Sequence, residues 1–428
     1  MKMMKSLKSV TILLAVTLFL AACSTERAPK YPQDNVYHPE TDCHFMYLNG
    51  DIPITESPDG YYIQMVNTLF FVDKETLSPL PVCGKPNCKH HHEMDPKKVI
   101  DCDAYLDNVD APFLEYMGGY LYVTVPQKLG EVNSDVVLMR MKPDGTERKV
   151  IANLGPNVNE CIIHRGYIYY CDKVYSEDMK ARYAIYRRAL EGGDPELLMA
   201  GSSKKGSFNS LQAYGNYFYA VETGGSQLDY DLRCLNLLTG EEIPMLEHPD
   251  DVDEHSVFFL NGRLTGGLWH ARDQVSQNKP AYYEYYQADL DGKNQKTIDF
   301  PIDHEGPFLI VMADGKNYWY MDYLGGGMQE LPPFVLQKLD EEGNTIASLP
   351  AYEGLNPMFF VPGGEKYAFL IGSSLDDNLD NLTIFAVDKE EKDGILNLHE
   401  FISVPNQELY KSIEFDESSE YREIADRG

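Results

Sequence analysis

The chain has 428 residues, with 67 Asp and Glu against 37 Lys and Arg, a formal net charge of −30. So acidic a surface repels phosphate backbones and anionic lipid, which argues against nucleic-acid binding and against polybasic docking on a membrane. Hydrophobic residues make up 43% and Tyr alone occupies 30 positions, so the acidity belongs to a folded, strand-rich body and not to a disordered chain.

Lys2, Lys5 and Lys8 precede an apolar run from Val10 to Ala22, interrupted at Thr11 and Thr17. The run falls short of the roughly 20 residues a spanning helix needs. A basic start, a short apolar middle and small residues at the end describe a secretory signal. The end reads Leu20-Ala21-Ala22-Cys23, with Ser24-Thr25 behind it. This resembles the lipobox of bacterial lipoproteins. The resemblance implies cleavage before Cys23, a diacylglycerol on its thiol, and a chain anchored at the extracytoplasmic face of the cell membrane. The alternative is an ordinary signal with an incidental Cys. Residues 1–22 are then the signal peptide. The polar, Pro-bearing residues 23–42 read as a lipidated flexible tether, and 43–428 as the folded body.

One unit recurs through that body. A short apolar strand leads to a Gly-containing turn, an aromatic-rich strand follows, and two further strands close the unit. The first copy runs IPITE, Asp59-Gly60, YYIQMVN, TLFFVDKET and LSPLPV.

A Cys- and His-rich insertion follows at 83–105. Cys83, Cys88, His90 and Cys102 make a Cys-x4-Cys-x-His-x11-Cys set. Three thiolates and an imidazole suit a tetrahedral structural zinc. Gly84 and Pro86-Asn87 allow the turn that folds the first two thiols together. His91, His92, Asp95 and Asp101 are spare candidates. A disulfide such as Cys88–Cys102, or inert free thiols, are the competing readings. The segment resembles a Cys-x-Lys-Pro-x-Cys-x-His…Cys-x-Ala-Tyr stretch of propeller lipoproteins from Gram-positive anaerobes. The match falls on Cys83, Lys85, Pro86, Cys88, His90, Cys102, Ala104 and Tyr105.

Six more copies follow, with turns at Gly119, Gly166, Gly215, Gly262, Gly315 and Gly364. From Gly60 onward the spacings are 59, 47, 49, 47, 53 and 49. The outlier contains the insertion. Asn-Gly and Asp-Gly between apolar strands are strong hairpin signals. A period near 50 with four strands per unit predicts an all-β fold, a single β-propeller of four-stranded antiparallel blades. Seven blades fit best, with six or eight as alternatives and two β-sandwiches as the other architecture. The lipobox, the Gly-x-x-Tyr-Tyr blades and strands ending Asp-x-x-Gly are together similar to bacterial cell-surface lipoproteins with low-density-lipoprotein-receptor-like or TolB-like propellers, many without an assigned function.

Seven cysteines besides Cys23 cannot all pair. Cys161 and Cys171 flank the Arg165-Gly166 hairpin. A two-residue turn sets Cys161 opposite Tyr170, whereas a longer loop or a bulge would bring the two thiols together as a disulfide. Cys43 and Cys234 have no assignable partner. Tyr282-Tyr283-Glu284-Tyr285-Tyr286 could stack on sugars but fits a half-buried strand better. Asp376-Asp377-Asn378-Leu379-Asp380-Asn381 lacks the spacing of a calcium loop. His164, His270 and His304 stand near loops without a nucleophile in a recognisable arrangement, and no Gly-x-Ser-x-Gly, P-loop or His-Glu-x-x-His occurs. Two functions follow. One is a non-catalytic binding or scaffold lipoprotein for a protein, peptide or glycan partner. The other is an extracellular hydrolase or lyase acting on saccharides or peptides at the propeller funnel.

Overall fold

The computed structural model describes residues 30–48, 52–65, 67–88, 90, 102–107, 112–128, 134–175, 181–202, 205–224, 230–245, 254–270, 282–300, 309–323, 334–352, 355–374 and 381–405. The expected signal peptide, Cys23, His91, His92, Asp95, Asp101, His304 and Asp376–Asp380 lie outside them. No helix among the described residues is long and apolar enough to cross a membrane.

The repeating apolar strands form seven four-stranded antiparallel meanders among the described residues, over 54–81, 114–155, 158–200, 205–243, 254–298, 309–352 and 355–405, with a single parallel pair, Ser348 and Ile395, joining the outer edges of the last two into one eight-stranded sheet. They make a β-propeller. Burial follows position within each sheet. The second strands are covered on both faces, as in Gly60–Met65 and Tyr217–Gly224, whereas the last strands Pro79–Pro81 and Lys296–Ile298 are largely exposed. A sheet pressed between two neighbours has no solvent face near the axis, so its inner strands are apolar or aromatic at nearly every position and do not alternate. The core is accordingly a series of inter-sheet layers. Tyr62, Leu121 and Met139 lie between the first two sheets, Ile163 and Leu138 between the second and third, and Trp319, Phe334 and Leu370 between the sixth and seventh.

Polar side chains on the innermost strands reach backbone groups of the next sheet. Thr55 Oγ1 accepts from Tyr116 N–H at 2.9 Å, Glu160 Oε1 from Leu211 N–H at 2.8 Å, and Gln212 Nε2 donates to Val257 O at 2.7 Å. Burial lifts the Glu160 carboxyl to about 7, although the Leu211 and Ser210 amides pull the other way.

Each sheet is built from consecutive strands, so no strand is shared where the seventh meets the first. That joint packs Tyr61 against Tyr367, Phe369 and Phe401, with ring centroids 6.1, 5.1 and 5.9 Å apart. The N-terminal segment completes it. Phe45–Tyr47 form a short 3-10 turn, fully buried at the axis. Tyr47 Oη donates to Glu56 of the first sheet at 2.6 Å and accepts from Gly364 N–H of the seventh at 2.7 Å. The same plug touches every other sheet. His44 Nδ1 pairs with Glu115 at 2.5 Å, Cys43 N–H donates to His164 Nδ1 at 3.1 Å, and Phe45 packs on Tyr214 and Phe259 at 5.7 and 5.2 Å and lies against Gly315. One apolar cluster, joining the plug to the first, fourth, fifth and seventh sheets, results.

This changes the tether boundary expected from sequence. Residues 30–42, read as flexible, lie along the ring as a strap. Lys30 pairs with Glu191 in the third-sheet turn after Ala181–Ala189. The Tyr31 ring fills the space that a Cβ on Gly166 would need. Asn216 Nδ2 donates to Gln33 O at 2.7 Å, and Asp42 is fully buried against Arg165. Polar composition alone cannot separate a tether from a strap whose polar groups are satisfied by the body.

Two histidines make the plug pH-sensitive. His164 lies buried and neutral, accepting at Nδ1 from Cys43 and donating from Nε2 to Gly215 O at 2.8 Å; burial drops it to about 4, with Arg165 adding to the effect against Asp42. Burial pulls His44 down too, but the charge and hydrogen bond of Glu115 override it and raise His44 to about 9. A histidine depressed on folding stabilises above about 6.5 and loses that contribution as pH falls towards 4. A raised one stabilises below about 6.5 and loses it as pH rises through 9. After correction for intrinsic rates, hydrogen exchange of the 41–48 amides is expected to be slowest near pH 6.5 and to accelerate on both sides. A profile flat from pH 4 to 9 would refute this linkage.

Candidate metal centre

The insertion docks as two short arms on the first sheet. Val82 N–H donates to Leu69 O at 2.9 Å, Leu69 N–H to Ala104 O at 2.8 Å, and Leu106 N–H to Asn67 O at 2.9 Å. An isolated antiparallel bridge pairs Thr68 with Tyr105. Val82, Cys102, Ala104, Tyr105 and Leu106 are buried in the layer between the first and second sheets. The second sheet clamps the arms from the other side. Arg148 donates from Nη1 to Tyr105 O at 3.0 Å, from Nη2 to Asp103 O, and from Nε to Gly145 O at 3.0 Å. Gly145, at φ +82°, has to be a glycine, because a Cβ would sit 2.6 Å from Asp103 O. Lys85 Nζ and Asp103 Oδ1, 3.1 Å apart, tie one arm to the other.

This frame brings together all four residues expected from the spacing. One donor atom each from Cys83, Cys88, His90 and Cys102 lies within 4.8 Å of the other three. Cys102 Sγ is 3.7 Å from His90 Nδ1. A tetrahedral ion bonded to sulfur at about 2.3 Å holds its donors roughly 3.8 Å apart, so a small contraction closes the set. His90 has φ 47°, a left-handed turn that brings its ring back over the thiols. Burial raises the Cys83 thiol, but the amides of Lys85 and Asp103 point at its sulfur and draw it down overall; that of Ala104 points at Cys102, where burial nevertheless pushes the thiol up to about 12 in the absence of an ion. Such N–H groups stabilise thiolate over thiol. The cluster can therefore hold a metal ion with four protein donors. None of the seven described cysteines is joined in a disulfide, Cys88 and Cys102 included.

The Arg165-Gly166 turn is the two-residue kind. Cys161 faces Tyr170 and Cys171 faces Glu160, on opposite sides of the sheet and in different apolar layers. The Cys161–Cys171 disulfide weighed from sequence is therefore excluded by the alternation of side chains. Cys43 and Cys234 are buried. In the tyrosine run, Tyr285 and Tyr286 are both core and Tyr282, stacked on His270 at 4.5 Å, is 41% exposed.

Sequence reading missed the buried charges. Arg165 pairs with Asp42, His44 with Glu115, and Lys389 with Asp314 at 2.8 Å. One signal was present. Arg165 occupies a turn position with φ 46° where the neighbouring repeats place Gly or Asn. A bulky residue held in that conformation points to a contact that requires it. A cavity of about 470 Å³ opens beside it, walled by Tyr31, Tyr167, Tyr169, Arg187 and the strap.

No protein family matches the chain, and no curated protein resembles it in sequence. Solved structures resemble it in fold. A prolyl endopeptidase superposes with TM-score 0.50 at 10% identity over 81% of this chain, which spans 48% of that one. A hypothetical selenium-binding protein from Sulfolobus tokodaii gives 0.46 at 11% identity, over 88% of this chain and 92% of that one. The β-propeller domain of the Trilobed protease from Pyrococcus furiosus gives 0.37 at 12%, over 66% and 94%. At such identities these likenesses bear on the fold alone.

Proposed function

We propose that this protein is a lipid-anchored, extracytoplasmic binding or scaffold propeller, held at the membrane through Cys23, with a structural zinc at Cys83, Cys88, His90 and Cys102 and without catalysis of its own. The observation that carries the reading is the pairing of the buried charges around the axis. Arg165–Asp42, His44–Glu115 and Lys389–Asp314 each pair opposite charges across the plug or an inter-sheet joint, and the cavity that Arg165 borders is lined by no acidic residue but the exposed Glu191. Groups locked in pairs have their charge and geometry fixed by structure, unlike a general acid or base poised for proton transfer. The metal set supports the same reading, because four protein donors leave no open position for substrate. The partner class is a protein, peptide or glycan.

The test has two arms. In cells fed labelled palmitate, the wild-type chain is expected to carry label and to sediment with membranes, and Cys23→Ala to do neither. Label that persists in Cys23→Ala refutes the anchor. The body beginning at Lys30, applied to glycan and peptide arrays, is expected to retain a ligand without altering it. Cleavage of any arrayed ligand overturns the non-catalytic reading.

A further inference from the structure

The turns between first and second strands all lie at one end of the ring, and the plug occupies that end. Thr41 O accepts from Arg165 N–H at 2.6 Å, Met46 O from Gly363 N–H at 3.1 Å, and Asn35 Oδ1 from Asn216 N–H at 3.2 Å. The strap runs outward across the same end to Lys30, at the rim beside Glu191. The end has short connections throughout: two residues at Gly118-Gly119, Arg165-Gly166, Gly215-Asn216 and Asn261-Gly262. The strand ends joined by the longer stretches of sequence, 82–113, 127–135, 271–281 and 324–333, lie at the opposite end.

The docked strap shortens the free chain between lipid and body. A tether of residues 23–42 would let the ring turn either face to the membrane. With Lys30 fixed at the rim, six residues, 24–29, separate Cys23 from the body, and the seven Cα–Cα steps span at most about 25 Å in any conformation. The second strands, which cross the ring from one end to the other, are six to nine residues long. At 3.3 Å per residue they make the ring roughly 20–30 Å deep before its long connections are added. At the third sheet, where Lys30 meets Glu191, the strand Tyr167–Tyr175 alone is nine residues or about 30 Å long, beyond that reach, so the tether is too short there to set the far end on the bilayer.

We propose that the plug end of the ring is its membrane-facing surface, lying against lipid headgroups, and that the end with the long connections is presented outward to partners. The inference rests on the lipid anchor at Cys23. The partner it assigns to the plug end is the bilayer surface itself. Its ordered strap fixes the orientation, so the ring is held and aimed by one segment. Because the same segment also closes the joint between the first and seventh sheets, the anchor is attached to the element that holds the ring shut.

The experiment uses the full lipidated chain in vesicles of neutral phosphatidylcholine containing a trace of acceptor-labelled lipid. A donor dye is placed through an unnatural amino acid at Lys316, exposed in a plug-end turn, or at Gln127, exposed where a second strand reaches the opposite end. Energy transfer to the lipid is expected to be about twofold or more higher from Lys316 than from Gln127, given the depth of the ring. Equal transfer, or more from Gln127, overturns the orientation. Flotation with the vesicles is scored in parallel, with Cys23→Ala as its control. Protein that fails to float refutes the anchor, and protein that floats with equal transfer refutes only the orientation. A further variant in which Arg165→Ala frees the strap is expected to float and to lose the difference between the two dyes. A difference that survives this change shows that the strap does not aim the ring.

Discussion

Arg165→Ala is expected to destabilise the ring by about 3–5 kcal/mol and to expose residues 30–48 to protease. The guanidinium is buried and fully engaged. Nε and Nη2 take the two Asp42 oxygens at 2.9 and 3.2 Å. Nη1 donates to Pro32 O, Asp34 O and Asn216 Oδ1 at 3.0, 2.9 and 2.8 Å, and Nη2 to Val36 O at 3.2 Å. Truncation leaves the Asp42 carboxylate, fully buried, without its counter-charge and removes the Arg165 donor from the Asp34 and Val36 carbonyls of the strap. Lysine should not rescue the loss, because a single ammonium cannot reproduce a planar fork with five N–H groups. Asp42→Asn keeps shape while removing charge, and should lose less than Arg165→Ala. Denaturant unfolding and limited proteolysis read both effects. A variant within about 1 kcal/mol of wild type, with its strap still protected, would show that the Arg165 network contributes only what a surface pair does.

The second large effect is expected at the metal cluster. Protein purified without a His tag should carry one equivalent of zinc, and Cys102→Ser or strong chelation should abolish it. A bound ion would tie Cys88 to Cys102 across a loop of about 14 residues, and releasing a cross-link of that span costs about 3 kcal/mol by chain entropy. The loss should appear first between the first two sheets. There Cys102 is buried beside Val82 and Tyr105, and the arms donate to or accept from Leu69 and Asn67. Tyr105, packed under the arm, should become accessible to oxidation or exchange before the rest of the ring opens. Cys161→Ser, in another layer, serves as a control that leaves zinc content unchanged. Wild-type protein without metal, and indifferent to chelator, would return the cluster to the status of reduced thiols.

The two ends of this chain differ in how far its sequence could be read. The repeat was legible because its signals are local. A Gly turn followed by a Tyr-rich strand recurs at a spacing near 50, and each of the seven sheets is a run of consecutive strands. The metal set was legible for the same reason, since its four candidate ligands fall within 20 residues. The two-residue turn at Arg165-Gly166 also set Cys161 opposite Tyr170, as its length requires. The plug was not legible. Tyr47 meets Gly364 across 317 positions and Asp42 meets Arg165 across 123, and no local period announces a contact made only when a ring closes. A strap whose polar groups are satisfied by distant turns has the composition of a tether, and tertiary structure alone distinguishes them. The sequence by itself therefore determined the blades and the cluster of Cys83, Cys88, His90 and Cys102. The closed ring decided that residues 30–48 belong to the body, because their partners lie on sheets that come together at the axis only in the folded chain.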